Sequence, residues 1–147
     1  MTATLPIARP AALVLLALIA GCGPVKRINP PAATVQRLEV VAPGGAVQIE
    51  LRLHNHSDVT TTFDRFDGTL ALGGGEATPL AVEIGLDVPA HAAEVVRASV
   101  AAAALPLDRP LRYRLDGRIA TREPRGSYPV EYESTLSPVP GRPGEFR

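Results

Sequence analysis

The chain has 147 residues, 46% of them hydrophobic, which excludes a disordered protein and leaves room for one domain of ordinary size. Aromatics make up only 4% and Trp is absent, so the expected core rests on Val, Leu, Ile and Ala. Fifteen Pro and thirteen Gly favour short strands and turns, and a formal net charge of zero without a clustered basic face argues against a nucleic-acid partner.

Residues 1–22 read MTATLPIARPAALVLLALIAGC. A polar start carrying Arg9 precedes the apolar run Ala11–Ala20. A membrane-crossing helix needs about 20 apolar residues, so this run fits a secretory h-region instead. The stretch Ile19-Ala20-Gly21-Cys22 resembles the lipobox of bacterial lipoproteins. That resemblance implies a leader over 1–21, cleavage before Cys22, and a diacylglyceryl thioether plus an N-linked acyl chain such as palmitate on Cys22. Two or more acyl chains hold a protein on a bilayer almost permanently, which makes the membrane a partner and the covalent lipid the sole cofactor. A single cysteine in a secreted chain has no internal disulfide partner, which agrees. An ordinary signal peptide with an incidental cysteine, or an uncleaved short anchor, is the alternative. Gly23 rather than Asp follows the cysteine, which points to the periplasmic side of the outer membrane if the source is Gram-negative.

Residues 22–33 hold three prolines and no apolar periodicity, and read as a tether reaching at most about 35–40 Å at polyproline spacing. The Pro- and Gly-rich end, 138–147, reads as a flexible tail. The folded unit is therefore expected over 34–137.

Within it, Val35–Val41 reads as a first strand, followed by a Pro43-Gly44-Gly45 turn. Val47–His54 alternates without a fault: Val47, Ile49, Leu51 and Leu53 inward, Gln48, Glu50, Arg52 and His54 outward. Phe63–Phe66 and Thr69–Leu72 flank an Asp67-Gly68 turn pair, and Leu80–Ile84 follows the Gly73-Gly74-Gly75 turn. Glu94–Val100 is a further candidate, and Ala101–Leu105 reads as a helical turn stopped by Pro106. Leu111–Ile119 alternates again, with Gly117 where a neighbour comes close. Tyr128–Tyr132 is the last alternation, its Pro129 arguing for an edge strand or an outward-pointing position. The sum is an all-β, antiparallel Greek-key sandwich of the immunoglobulin and fibronectin-III kind, with about seven strands and one short helical turn.

The order of these motifs is similar to the late embryogenesis abundant type 2 family and its WHy domain relatives. Leu53-His54-Asn55-His56-Ser57 stands close to that family's L-x-N-P-N pattern, with His56 in place of the usual Pro. Gly73–Gly75, Val88-Pro89-Ala90, Val95–Val100 and Tyr113-Arg114-Leu115-Asp116-Gly117 follow in the family's order, over roughly 34–136. The resemblance implies a fibronectin-like sandwich with a short helix before the Tyr strand, a link to desiccation or envelope stress, and no catalytic residues.

Chemistry-bearing residues are few. His54 and His56 stand two apart on a strand and project to one side, with Asp58 near, so they are the candidate metal ligands. Against that stands a solvated strand end, since a third strong ligand is missing and His91 is far along the chain. Asn55 is read as structural, turning the chain out of the strand through left-handed backbone or bonds to its own backbone. Nothing brings Asp64, Asp67 and Asp116 together as acid and base, no G-x-S-x-G elbow exists, and Gly73–Gly75 lacks the Lys and Ser/Thr of a phosphate loop. Arg112, Arg114 and Arg118 form a row that either meets anionic headgroups or pairs with acids on a neighbouring strand. The expectation is a non-enzymatic, membrane-anchored lipoprotein serving envelope-stress protection or interaction with envelope proteins or lipids. The alternative is a carrier or accessory protein with an apolar ligand between its sheets.

Overall fold

The computed structural model describes residues 23–41 and 45–147. Cys22 and the leader expected over residues 1–21 lie outside the described residues. Eight strands form: β1 (Ala32–Val40), β2 (Ala46–His54), β3 (Thr61–Leu72), β4 (Ala77–Val88), β5 (Ala93–Ala101), β6 (Leu111–Glu123), β7 (Arg125–Leu136) and β8 (Glu145–Phe146). They make two antiparallel four-stranded sheets, ordered β5-β2-β1-β8 and β4-β3-β6-β7. The chain changes sheet after β2, β4, β5 and β7, which is Greek-key connectivity of the immunoglobulin and fibronectin-III kind.

Period-two patterning decides which faces meet. Val47, Ile49, Leu51 and Leu53 of β2 share one core with Leu111, Tyr113, Leu115 and Ile119 of β6, in the other sheet. Burying each such aliphatic side chain stabilises by about 1.5–3 kcal/mol. The chain's three phenylalanines, Phe63, Phe66 and Phe146, are all fully buried as well, so its few aromatics are concentrated at the centre.

Several expectations need correcting. Asp67-Gly68 is not a turn: β3 runs straight through it, with Gly68 paired to Gly117 of β6. A Cβ at Gly68 would meet the Gly117 Cα at 2.7 Å, with the Phe66 ring on the same side at 2.9 Å. The two glycines let backbone and ring lie close together. Ala101–Leu105 is not a helical turn, and no helix occurs among the described residues. Ala101 ends β5, and the Ala102 N–H goes to the Gly45 carbonyl at 2.9 Å. Five residues before a proline have too little length to nucleate a helix against that ladder bond. The tether is shorter than read, because Ala32 and Ala33 already belong to β1.

The C-terminal segment is not a loose tail. Arg147 and Ser137 exchange two backbone hydrogen bonds, the Val139 N–H reaches the Glu145 carbonyl, and β8 pairs with Leu38 and Glu39 of β1. Phe146 enters the core from there. A burial motive within ten polar and Pro-rich residues rests on this one side chain.

The turn at Gly73–Gly75 is a hairpin: the Gly75 N–H reaches the Leu72 carbonyl at 2.9 Å, with φ of 61° and 78° at Gly73 and Gly74. Positive φ at both central residues matches the twist of a two-residue hairpin. Three sheet edges carry interruptions. Pro79 and a bulge at Gly85 interrupt β4, Pro129 interrupts β7, and β8 with the Tyr113 hydroxyl covers β1. Pro129 and its outward position agree with β7 lying at a sheet edge.

Candidate functional site

β2 ends at His54, and the chain must then cross to the other sheet, where β3 starts at Thr61. Asn55 organises that crossing and is only 2% exposed. Its side-chain amide donates to the carbonyls of Val59, Val88 and Pro89 at 2.8, 2.9 and 3.0 Å. Its Oδ1 accepts the Ser57 N–H at 3.0 Å and the Thr61 hydroxyl at 3.2 Å. The Asn55 N–H donates to the Ala92 carbonyl at 2.9 Å. One side chain thereby ties the crossover to the end of β4 and to the turn before β5. The Asn55 backbone is not left-handed; among the described residues the positive-φ position outside glycine is His91, at 57°. His91 sits in the Pro89–Ala92 turn, closed by the Ala92 N–H on the Pro89 carbonyl.

The N-terminal segment docks onto this crossover. The Asn29 N–H donates to Ser57 Oγ at 2.9 Å, and that hydroxyl donates to the Asn29 carbonyl at 3.1 Å. The Asn29 side chain donates to the His56 carbonyl at 2.7 Å. The Arg27 N–H donates to Asp58 Oδ2, and the Asp58 N–H to the Arg27 carbonyl, both at 2.9 Å. Asp58 Oδ1 lies 2.9 Å from His91 Nε2. The Arg27 N–H, followed by the His91 ring, holds the Asp58 carboxyl below the usual carboxylate range.

The sequence-named chemistry falls apart around this network. His54 and His56 do share a side, their rings stacked with centroids 5.8 Å apart and planes within 7°. Burial, then Arg52 and His56, pushes the His54 imidazole below its ordinary pKa. Asp58 turns to Arg27 and His91 rather than toward the stacked pair. No group of three or more His, Cys, Asp or Glu side chains is placed to hold a metal among the described residues. Asp64 pairs with Arg122, Asp67 with Arg65, and Asp116 with Arg114, so each of the three carboxylates has its own arginine. In the arginine row, Arg114 also meets Glu131 of β7 at 3.0 Å, and Arg118 bonds Ser127 of β7.

Two further features were not legible in the sequence. Glu145, 5% exposed, is surrounded by Arg37, Arg142 and Arg147. Burial alone would raise its pKa, but the Arg142 hydrogen bond and the three guanidinium charges outweigh burial and lower it. At the far end of the sandwich from Asn55, a cleft of about 390 Å³ opens between the sheets, lined by Leu70, Leu72, Leu105 and Ala101–Ala103 among others. Leu70 and Leu72 were visible as strand residues, but only the two-sheet geometry sets them opposite the end of β5.

No protein-family model matches the chain, and no curated protein matches it. Among solved structures, it is similar to the X-ray structure of the Northeast Structural Genomics Consortium target SoR45, with a TM-score of 0.50 and 9% identity over 77% of this chain and 89% of that one. A protein from Archaeoglobus fulgidus aligns with a TM-score of 0.40 and 12% identity, over 77% of this chain and 98% of that one. At 9% identity, the likeness to SoR45 is one of fold alone.

Proposed function

We propose that this chain is a non-enzymatic lipoprotein of the cell envelope, anchored through a lipid on Cys22 and acting by surface contact, in envelope-stress protection of the type 2 late embryogenesis abundant and WHy kind. The docked segment carries this reading. Because Arg27 and Asn29 are fastened to the Asn55–Asp58 crossover, only four residues separate the fastening from Cys22. The five Cα–Cα steps from Cys22 to Arg27 span at most about 18 Å, so a lipid at Cys22 would keep the Asn55 end close to the bilayer and direct the rest of the sandwich away from it. A short, fastened stalk suits a domain that meets partners at a fixed height.

Mass analysis of the N-terminal peptide from the native host tests the anchor: a diacylglyceryl adduct on Cys22 is expected, and an unmodified thiol would overturn it. A deletion strain taken through drying and osmotic shock tests the stress assignment, with reduced survival expected in at least one. The cleft lined by Leu70, Leu72 and Ala101–Ala103 favours a second reading, a carrier for an apolar ligand. Native mass spectrometry after mild extraction separates the two, since a copurifying lipid supports the carrier and a bare protein removes it.

A further inference from the structure

Of the four sheet edges, β5 alone has no proline, bulge or covering segment among the described residues. Its nine residues contain no Pro and no Gly and pair with β2 from Ala93↔His54 to Ala101↔Ala46 without a register shift. In an antiparallel ladder, alternate residues bond to the neighbouring strand. The Ala92 carbonyl and the Ala102 N–H both bond toward β2, so the even-numbered residues carry the ladder. Val95, Arg97 and Ser99 therefore direct their N–H and C=O groups away from β2, and among the described residues these groups meet no other strand. Val95 is 39% exposed beside them. An edge that is long, regular and unblocked is a template for another strand.

We infer that β5 receives an extended segment of a second envelope protein as an added strand, with acidic residues on one side of that segment and apolar residues on the other. The side-chain pattern sets this chemistry. On the outer face Arg37 is shared among Glu39, Glu50 and Glu145, while beside the edge itself Arg97 and Arg52, the latter opposite Val95, stand with Glu50 alone, a local excess of positive charge. On the inner side, past Glu94, the added strand's alternate residues lie beside Val96 and Ala98, which pack against the core, and apolar side chains are wanted there.

A second copy of this chain is the competing occupant, and geometry disfavours it. Antiparallel pairing of β5 with its own copy turns that copy end for end. Its Arg27 end is then displaced by roughly the length of β5, about 30 Å, beyond the reach of a four-residue stalk on the same bilayer. Parallel self-pairing turns one copy over about the strand direction and sets its Arg97 beside the other copy's Val96 and Ala98, on the side where a charge costs desolvation. This choice of occupant rests on the anchored reading; the open edge does not.

The test uses the full chain, extracted in mild detergent, with two synthetic seven-residue probes: alternating valine and glutamate, and alternating valine and lysine. With the glutamate peptide, hydrogen exchange at Val95, Arg97 and Ser99 is expected to slow by roughly tenfold or more, while Val96 and Ala98, already bonded to β2, stay unchanged. Arg97→Pro removes an outward-facing N–H without touching the β2 ladder, and abolishes the slowing. Arg97→Glu, which keeps the backbone intact, reverses the preference toward the lysine peptide. No slowing with either peptide, or equal slowing in Arg97→Pro, overturns the proposal. Slowing that rises with protein concentration in the absence of peptide assigns the edge to a second copy and also overturns it. The mass of residue 22 is read separately, so slowing by peptide on an unlipidated chain would leave the edge standing and remove the anchor.

Discussion

Asn55 has more bonds than any other side chain in the crossover, and those to Val88, Ser57 and Thr61 are buried from water. Replacing it with Ala leaves the Val88 carbonyl, the Ser57 N–H and the Thr61 hydroxyl without their partner in a buried setting. We expect Asn55→Ala to lower unfolding stability by about 2–4 kcal/mol in urea titrations. A loss below about 1 kcal/mol would mean that the network is dispensable. Asp58 gives a pH signature at the same scale. Its folded-state pKa lies below the ordinary 3.8, so the carboxylate contributes stability above that value, which is lost as pH falls through the folded value. Amide exchange at Arg27, once corrected for the intrinsic pH dependence, should accelerate below about pH 4, and Asp58→Asn should remove that acceleration. An unchanged profile in Asp58→Asn would assign the docking to Ser57 and Asn29 alone.

At the level of elements, two short sequences do work that their composition conceals. The Gly68–Gly117 pair lets β3 and β6 approach under the Phe66 ring. A methyl at Gly117 would meet the Gly68 Cα at 2.7 Å, an atom of the backbone that cannot swing aside. Gly117→Ala is expected to cost about 2–4 kcal/mol in chemical denaturation. The C-terminal strand β8 is the other case. Phe146→Ala opens a cavity at the seam between the sheets and should cost about 3–5 kcal/mol, a loss that an ordinary exposed tail would not produce. Glu145 holds the same strand by charge. Because its pKa is depressed, that contribution is present above the ordinary carboxylate value and fades as pH falls through the folded one. Exchange in 138–147 should therefore rise in acid, and Glu145→Gln should show the raised exchange already at neutral pH.

For the whole molecule, the docked Arg27 end and the Glu76 hairpin stand at opposite ends of strands 12–13 residues long. On vesicles carrying a bilayer-embedded quencher, a dye at Arg125→Cys should be quenched more strongly than one at Glu76→Cys, some 40 Å farther along the strands. Equal quenching would mean that the sandwich lies flat. Sequence reading identified the all-β class, the faces of β2 and β6, the Gly73–Gly75 hairpin and the edge position of Pro129. Those features come from period-two patterning and from local backbone geometry, which neighbouring residues alone determine. Asp67-Gly68 within β3, Phe146 in the core, the Arg27–Asn29 docking and the open edge of β5 were decided only by tertiary structure. Each depends on which distant segment supplies a hydrogen-bond partner or an apolar wall, and a linear pattern carries no record of that pairing.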